Sequence, residues 1–363
     1  MKKIVIIAMK ESVFTHSWVW KYIGNYIPYL RRKHDVEILY QPEETWFISW
    51  WLRRIFKLPT ILKNKYRWYK KIFTEENFLI SIRKSFVNDS IMIVHHYPFK
   101  TEVTNFKEQI IRRLSFFTFN TILKKINNIV AVSEKTKAVL QELGINKKLI
   151  TVIPNSVNLE NYKILNSNIK INKKTEFEEK YNIPKWKEWL LFVWSNESRK
   201  NITTLLKVLW KLPENYILVR VWKDCSQEEL KKMNGIIKSS NSINKYFHLQ
   251  DLSEEDLILI YQISDIYIMP SLYEWFWRPI IEAQACWCPV ISTKCWALEE
   301  VCWKWAILIS NPIDEIEYIN KIKDIEDKKN NLIELWLDNA KKYSSKLNSI
   351  KFIKLINEVK NIY

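Results

Sequence analysis

The sequence predicts an α/β protein of two doubly wound domains, each a parallel sheet covered by helices on both faces, with a cleft between them. Three observations lead there: the length of 363 residues, short apolar runs alternating with helical patterns, and a polar stretch between two such series. The length suits two domains of about 150 to 200 residues each. The first series of strands is expected at Ile4–Ala8, Val36–Tyr40, Ile91–Val94 and Ile129–Val132. The second is expected at Leu190–Val193, Ile217–Val221, Ile266–Met269, Val290–Ser292 and Ala306–Ile309. Between them, residues 161–185 are rich in Asn and Lys and read as a linker running into a polar helix. Residues 332–363 are mostly helical by pattern. The expected boundaries are 1–165 for the first domain, 166–340 for the second, and 341–363 for a C-terminal helix packing back on the first. Ligands of such sheets bind beyond the carboxyl ends of the strands, so the loops there are where chemistry is sought.

The composition narrows the class. Hydrophobic residues make up 47% and charged residues 27%, as in soluble globular proteins, and no apolar run reaches the roughly 18 residues of a membrane span. Met1-Lys2-Lys3 followed by Ile4–Ala8 is too short and too soon polar for a signal peptide, so a cytoplasmic location is expected. The five cysteines, four of them crowded at Cys286, Cys288, Cys295 and Cys302, read as reduced thiols, and their spacing fits no standard zinc finger or ribbon.

A net charge of +17 calls for an anionic partner. Residues 45–74 hold eight basic side chains (Arg53, Arg54, Lys57, Lys63, Lys65, Arg67, Lys70 and Lys71), no acid, and many aromatic and aliphatic ones. Such a segment fits an element lying on anionic lipid. It equally fits a core helix with a solvated basic face, since Pro59 interrupts a single long helix.

Glycine is nearly absent: 3 residues, where a usual share of about 7% would give roughly 25, against 18 tryptophans. The tryptophans stand where backbone physics asks for glycine. Trp287 follows a helical stretch two residues before Pro289, the usual place of a left-handed residue that a bulky side chain disfavours. Trp194 and Trp222 each close an apolar strand, and Trp303 and Trp305 bracket a turn. These residues are therefore expected to be glycine in the organism's own protein, a recoded UGA codon having been read as tryptophan. The same holds for Trp18, Trp20, Trp186, Trp275, Trp277, Trp296 and Trp336. Trp51 and Trp68 read as genuine, and Trp46, Trp50, Trp189 and Trp210 stay unassigned.

The chemistry-bearing stretch follows the strand Ile266–Met269 and runs from Pro270 through Glu274, Trp275, Phe276, Trp277, Arg278 and Pro279 to Glu282. Pro279 suits the first turn of a helix, which places Glu282 in or near that turn and Glu274 in the loop before it. Unpaired N–H groups at such an N-terminus favour a diphosphate, and flanking carboxylates can accept from sugar hydroxyls. Two glutamates eight apart are, by themselves, more often an ordinary solvated loop and helix.

Residues 270–290 resemble the E-x7-E signature of the retaining GT-B glycosyltransferases known as glycosyl transferases group 1, framed P-S-x-x-E-G-F-G-x-P-x-x-E-A-x-A-x-G-x-P-V. Every fixed position is matched except Trp275, Trp277 and Trp287, each replacing a glycine. The resemblance implies that Glu274 contacts the donor sugar, that Glu282 holds the ribose, and that the amides of Phe276, Trp277 and Arg278 bind sugar or phosphate. Residues 192–201 are similar to the family's strand-turn-helix segment carrying the base that neutralises the diphosphate. Lys200 is the first choice for that role and Arg199 the second, with Ser195 where the family often has arginine. Trp18, in the loop after strand one, resembles a glycine that faces donor phosphates and acceptor. His95 and His96 end the strand Ile91–Val94, and the family's histidine near the donor sugar is matched first to His95.

The resemblance implies a GT-B fold and a retaining hexosyltransferase that uses a nucleotide-diphosphate sugar as substrate, with no cofactor and no metal; no Asp-x-Asp pair is evident. Glu274, His95 and Lys200 are the catalytic candidates. The partners are a nucleotide-diphosphate sugar and a glycan or lipid-linked acceptor, with an anionic surface at the inner face of the membrane a further candidate. The rivals are an epimerase or phosphorylase of the same fold, for which no motif is found, and a basic nucleic-acid-binding protein, the less favoured class.

Overall fold

The computed structural model describes residues 1–8, 22–40, 57–74, 90–95, 119–224, 226–239, 243–274, 278–295, 298–302 and 305–359. Outside the described residues lie Trp18, Trp20, His96, Trp275, Phe276, Trp277, Trp296, Trp303 and the part of the basic segment holding Arg53 and Arg54. The chain forms two compact units, one of residues 1–156 with 345–363 and the other of residues 157–344.

In the first unit the strands are β1 (Lys3–Ala8), β2 (Asp35–Tyr40), β3 (Lys70–Thr74), β4 (Ser90–Val94), β5 (Ile129–Ala131) and β6 (Ile150–Val152). They form one parallel sheet in the order β2-β1-β3-β4-β5-β6, which reverses direction between β1 and β3. Helices α1 (Ile27–Arg31), α2 (Leu58–Lys65) and α3 (Glu134–Glu142) accompany it. Ile4 to Ala8 and Ile91 to Val94 are buried throughout, as expected of a sheet covered on both faces.

The basic segment departs from a single interfacial helix. Pro59 sits in the first turn of α2, and the chain then turns into β3, where Lys70 and Lys71 are each 1% exposed. Both ammonium groups are fed to backbone carbonyls, Lys70 to Val359 and Lys71 to Arg67 at 3.4 Å. Lysine carries a long apolar stem, so a strand can bury it once the charge reaches an acceptor. Lys57, Lys63, Lys65 and Arg67 remain on the surface.

The second unit holds α4 (Ser167–Tyr181), β7 (Glu188–Val193), α5 (Ile202–Lys211), β8 (Tyr216–Val221), α6 (Gln227–Ser239), β9 (Tyr246–Leu249), α7 (Glu254–Ile263), β10 (Ile266–Met269), α8 (Arg278–Ala285), β11 (Val290–Thr293), α9 (Leu298–Cys302), β12 (Ile307–Ile309) and α10 (Glu315–Lys342). Its sheet is again parallel, ordered β12-β11-β10-β7-β8-β9. Strand order therefore reverses between β7 and β10, which are hydrogen-bonded neighbours. The loops leaving their carboxyl ends open at a topological switch point, the usual ligand position in such sheets. The two doubly wound sheets give the GT-B architecture.

The helix ends follow local rules. Ser133, Ser253 and Asp314 cap α3, α7 and α10 by accepting from backbone N–H groups of the first turn. Asn182 ends α4 in the left-handed conformation, one of the few side chains that tolerates it. Three tryptophans share that half of the map, Trp186 at φ 63°, Trp222 at φ 124° and Trp287 at φ 59°.

Candidate active site at the switch point of the second unit

The segment after β7 passes through a 3-10 turn, Ser198–Lys200, and Asn201 then adopts a left-handed conformation (φ 55°) that starts α5. The Asn201 side-chain amide donates to Pro270 O at 3.1 Å and to Pro312 O at 2.7 Å, while its oxygen accepts from Thr204 at 2.7 Å. Leu272 N donates to Arg199 O at 2.8 Å. On the far side of the same loop, Ser271 O accepts from Thr293 at 2.6 Å. The loops after β7 and β10 are thus stitched together through backbone carbonyls, which leaves their charged side chains facing one another.

Glu274, 5% exposed, takes three donors on one oxygen: Lys200 Nζ at 2.5 Å, Arg199 Nη1 at 2.9 Å and Ser271 Oγ at 3.0 Å from Oε1. Among the described residues no hydrogen bond is recorded on its Oε2. Glu197 holds the back of Arg199, accepting from Nε at 2.7 Å, and is itself held by Ser195 Oγ at 3.0 Å. Two cations and two carboxylates therefore balance in a cluster whose inner pair, Lys200 and Glu274, is buried; removing one of those two partners commonly costs about 3–5 kcal/mol.

Burial sets the electrostatics. Lys200 has no exposed surface, and desolvation pushes its ammonium down to about 7; Glu274 opposes the fall and Arg199 adds to it. Burial pushes the Glu197 carboxyl up, but the charges of Arg199 and Lys200 outweigh it and leave the group below its ordinary value. The Trp194 ring lies 4.1 Å from Lys200 Nζ and stacks on Trp222 at 5.8 Å and 7°. A buried ammonium poised near neutrality, with an arginine beside it, can take up negative charge developing on a phosphate.

Glu282 lies one turn into α8, 1% exposed, and pairs with Arg278 at 2.7 Å between Nε and Oε1. His95 stands at the carboxyl end of β4 in the first unit, 8% exposed, with its ring edge-on to Tyr22 at 5.0 Å and 89°. The structure thus brings Lys200, Arg199 and Glu274 together, puts Arg278 and Glu282 on one helix, and places His95 in the other unit. A cavity of about 690 Å³ elsewhere in the second unit, among Lys170, Glu178, Trp186 and Trp287, is lined by none of them. Sequence reasoning gave no role to Glu197, Ser271 or Asn201; taken alone the run Arg199-Lys200-Asn201 looks like solvated surface, and Lys200 and Arg199 were reached through the resemblance.

Residues 173–343 match the family described as Glycosyl transferases group 1, and residues 77–161 match the one described as Glycosyltransferase Family 4. The first match lies within the second unit and the second almost wholly within the first. Among curated proteins, "Serotype-specific mannosyltransferase WbdA" of Escherichia coli is 29% identical over 142 residues, 38% of this chain and 17% of the relative. "O-antigen chain mannosyltransferase B" of Escherichia coli is 30% identical over 144 residues, 38% of this chain and 36% of the relative. The chain thus spans well under half the length of these two relatives. Among solved structures, that of Anabaena Alr3699/HepE in complex with UDP and glucose superposes with a TM-score of 0.77 at 13% identity, covering 98% of this chain and 99% of that one.

Proposed function

We propose that the chain is a retaining hexosyltransferase that moves a hexose from a nucleotide-diphosphate sugar to a glycan or lipid-linked acceptor, without a metal. The observation that carries this is the sharing of Glu274 Oε1 by Lys200 and Arg199 at the switch point of the second unit. The second unit then takes the donor, with Glu274 Oε2 turned to a sugar hydroxyl and Glu282 to the ribose. The first unit takes the acceptor, with His95 assigned to the surroundings of the donor sugar. The bond from the sugar's anomeric carbon to the diphosphate breaks, and the acceptor oxygen bonds to that carbon on the same face. The acceptor's proton passes to the departing phosphate, and Lys200 and Arg199 hold the negative charge. The names of the relatives make mannose the first sugar to test.

The same proposal includes the recoding of tryptophan positions. It is supported by the backbone: the three described tryptophans at positive φ, Trp186, Trp222 and Trp287, all belong to the set read as glycine. At such angles a Cβ costs roughly 1–2 kcal/mol. Peripheral attachment to an anionic membrane belongs to the proposal too; no helix among the described residues is long and apolar enough to cross a membrane.

The experiment is a thermal-shift screen with UDP- and GDP-sugars. It is run on the chain as written and on the chain carrying Trp275→Gly, Trp277→Gly and Trp287→Gly. A bound donor raises the melting temperature by mass action. No shift with any nucleotide sugar in either form would remove the proposal.

A further inference from the structure

Helices that return to a parallel sheet end where its strands begin, and a basic residue or two there complements the helix dipole. The first sheet exceeds that need. Arg31, Arg32 and Lys33 lead into β2, and Lys3 opens β1. Lys63, Lys65 and Arg67 lead into β3. Farther along, Lys124 and Lys125 precede β5, and Lys147 and Lys148 precede β6. The entry to β4 lies outside the described residues. All these bases are exposed, and strands about 4.8 Å apart spread them over roughly 24 Å of one rim of the sheet. The acids close by are Asp35 and Glu37 on β2 and Glu142 at the end of α3. Among the described residues Lys65 is the one of these bases to form an ion pair, with Glu37 at 3.9 Å.

The second sheet, parallel and doubly wound like the first, is the internal comparison. There Lys185 pairs with Glu179 at 2.7 Å before β7, Lys211 with Glu315 at 2.8 Å before β8, and Lys245 with Glu214 at 3.5 Å before β9. Strand β10 is entered through Asp265. Fold geometry therefore does not ask for the excess charge of the first sheet, which complements an anionic surface outside the molecule. Its bases are mostly lysines on separate loops. Trp68, 56% exposed with the Arg67 guanidinium 5.1 Å from its ring centre, is the one aromatic side chain exposed along the described rim. A single-stranded nucleic acid asks for several rings on which successive bases stack. One tryptophan among spread lysines suits the headgroup layer of an anionic bilayer, where the ring sits at the interface and each base is drawn to the surface charge.

Resting on the membrane reading above, we infer that the amino rim of the first sheet, from the β2 entry to the β6 entry, is the face that lies on anionic lipid. The carboxyl rim, where His95 follows β4, then faces away from the bilayer. Strands β1 and β4 have six and five residues, and at about 3.3 Å per residue they hold the two rims roughly 17–20 Å apart. An acceptor reached at the carboxyl rim must carry its hydroxyl across that distance. A lipid-linked glycan already several sugars long does so, and a lipid bearing a single sugar does not. The reaction assigned is accordingly the extension of an existing chain rather than its first addition.

The test is flotation of the full chain with vesicles of phosphatidylcholine alone or of an equal mixture with phosphatidylglycerol, at low salt, followed by hydrogen exchange of the bound protein. Binding is expected with the mixed vesicles only. Replacing Arg31, Arg32 and Lys33 by Gln, or Lys124, Lys125, Lys147 and Lys148 by Gln, should weaken it about tenfold or more, although neither set touches the segment 57–67. The same replacement of Lys231, Lys238 and Lys323, exposed in the second unit, should leave it unchanged. Bound vesicles should slow exchange at residues 31–34, 66–69 and 146–149 of the amino rim and not at 132–135 or 153–156 of the carboxyl rim. Slowed exchange at the carboxyl rim instead, or binding that only substitutions within 57–67 weaken, would overturn the inference and leave attachment to lipid in place. Tighter binding of a single-stranded oligonucleotide, lost with the same substitutions, would give the rim to nucleic acid and equally overturn it. No binding of the unmodified chain to mixed vesicles would remove the membrane reading itself, and the inference with it.

Discussion

Lys200 and Glu274 meet at 2.5 Å although 74 residues separate them in the chain, and the lysine has no exposed surface. The contact exists because β7 and β10 are neighbours whose exits open at one point of the sheet. Lys200 is consequently a cation whose charge depends on what lies beside it, and several outcomes follow from that dependence and from the framework around it.

Burial holds Lys200 near 7, so an arriving diphosphate must raise its pKa to bind as an ion pair. Protons are then taken up on binding above that pH. Nucleoside diphosphate affinity should be flat below about pH 7 and fall by up to about one decade per pH unit above it. Lys200→Arg should remove that dependence while retaining measurable binding. Calorimetry between pH 6 and 9 reads both, and a slope unchanged in the arginine variant would count against the assignment.

Asn201 is expected to act as a framework residue. Asn201→Ala loses the hydrogen bonds to Pro270 O and Pro312 O and places a Cβ with no compensating side chain at φ 55°. A loss of about 2–4 kcal/mol in unfolding free energy is expected, together with weaker donor binding. Asn201→Gly should recover the backbone part of the loss but not the binding. Denaturant melts and titrations separate the two.

Trp222→Gly and Trp287→Gly should each stabilise the chain by about 1 kcal/mol, some 2–4 °C in melting temperature, because the angles of 124° and 59° cease to be strained. Trp189→Gly should do the opposite. That ring is fully buried against Phe177, with Lys174 5.3 Å from its centre, and its loss should cost about 3–5 kcal/mol. The coding DNA supplies an independent check: UGG at positions 222 and 287 would end the recoding proposal.

His34 should make the first unit acid-sensitive. It is 4% exposed, both ring nitrogens lack partners among the described residues, and burial followed by the charge of Lys2 lowers its pKa. The unfolded chain therefore binds the proton more readily than the folded one. Stability is complete above the ordinary histidine value of about 6.5 and declines as pH falls below it towards the lowered folded value. His34→Phe should flatten that decline in denaturant melts between pH 7.5 and 5.

The surface bases of the segment 57–67 carry the membrane proposal. Co-sedimentation with anionic vesicles at low salt is expected, with release when Lys57, Lys63, Lys65 and Arg67 are replaced by Gln and no change in nucleotide binding. Absence of vesicle binding by the unmodified chain would return the segment to a structural role.

Nine strands were legible because their residues are apolar in runs, which is what a two-faced parallel sheet demands. Three were not. In β3 the lysines hide the pattern, since only the fold reveals that Lys70 and Lys71 find carbonyls. Strand β6 has three residues, and β9 contains His248, whose ring makes a 2.7 Å hydrogen bond with Trp222 O. In the site, Glu274 and Glu282 were legible through a motif spaced by local chain geometry. Asn201 was not, because its bonds reach carbonyls 69 and 111 residues away. Glu197 escaped for a different reason: a carboxylate two residues from an arginine looks like ordinary surface until the fold turns that arginine onto buried Glu274.

The C-terminal helix (Ser345–Glu358) ends on carbonyls claimed by lysines from the start of the chain, Lys2 on Asn357 O at 2.7 Å and the buried Lys70 on Val359 O. In a nascent polypeptide those acceptors are synthesised after the 157–344 unit. Until they arrive, β3 carries an ammonium with that outlet missing, so the first sheet is begun early and finished only after the whole 157–344 unit has been made. A cut before residue 345 would therefore damage the opposite end of the sequence first, whereas 157–344 is one unbroken stretch of chain.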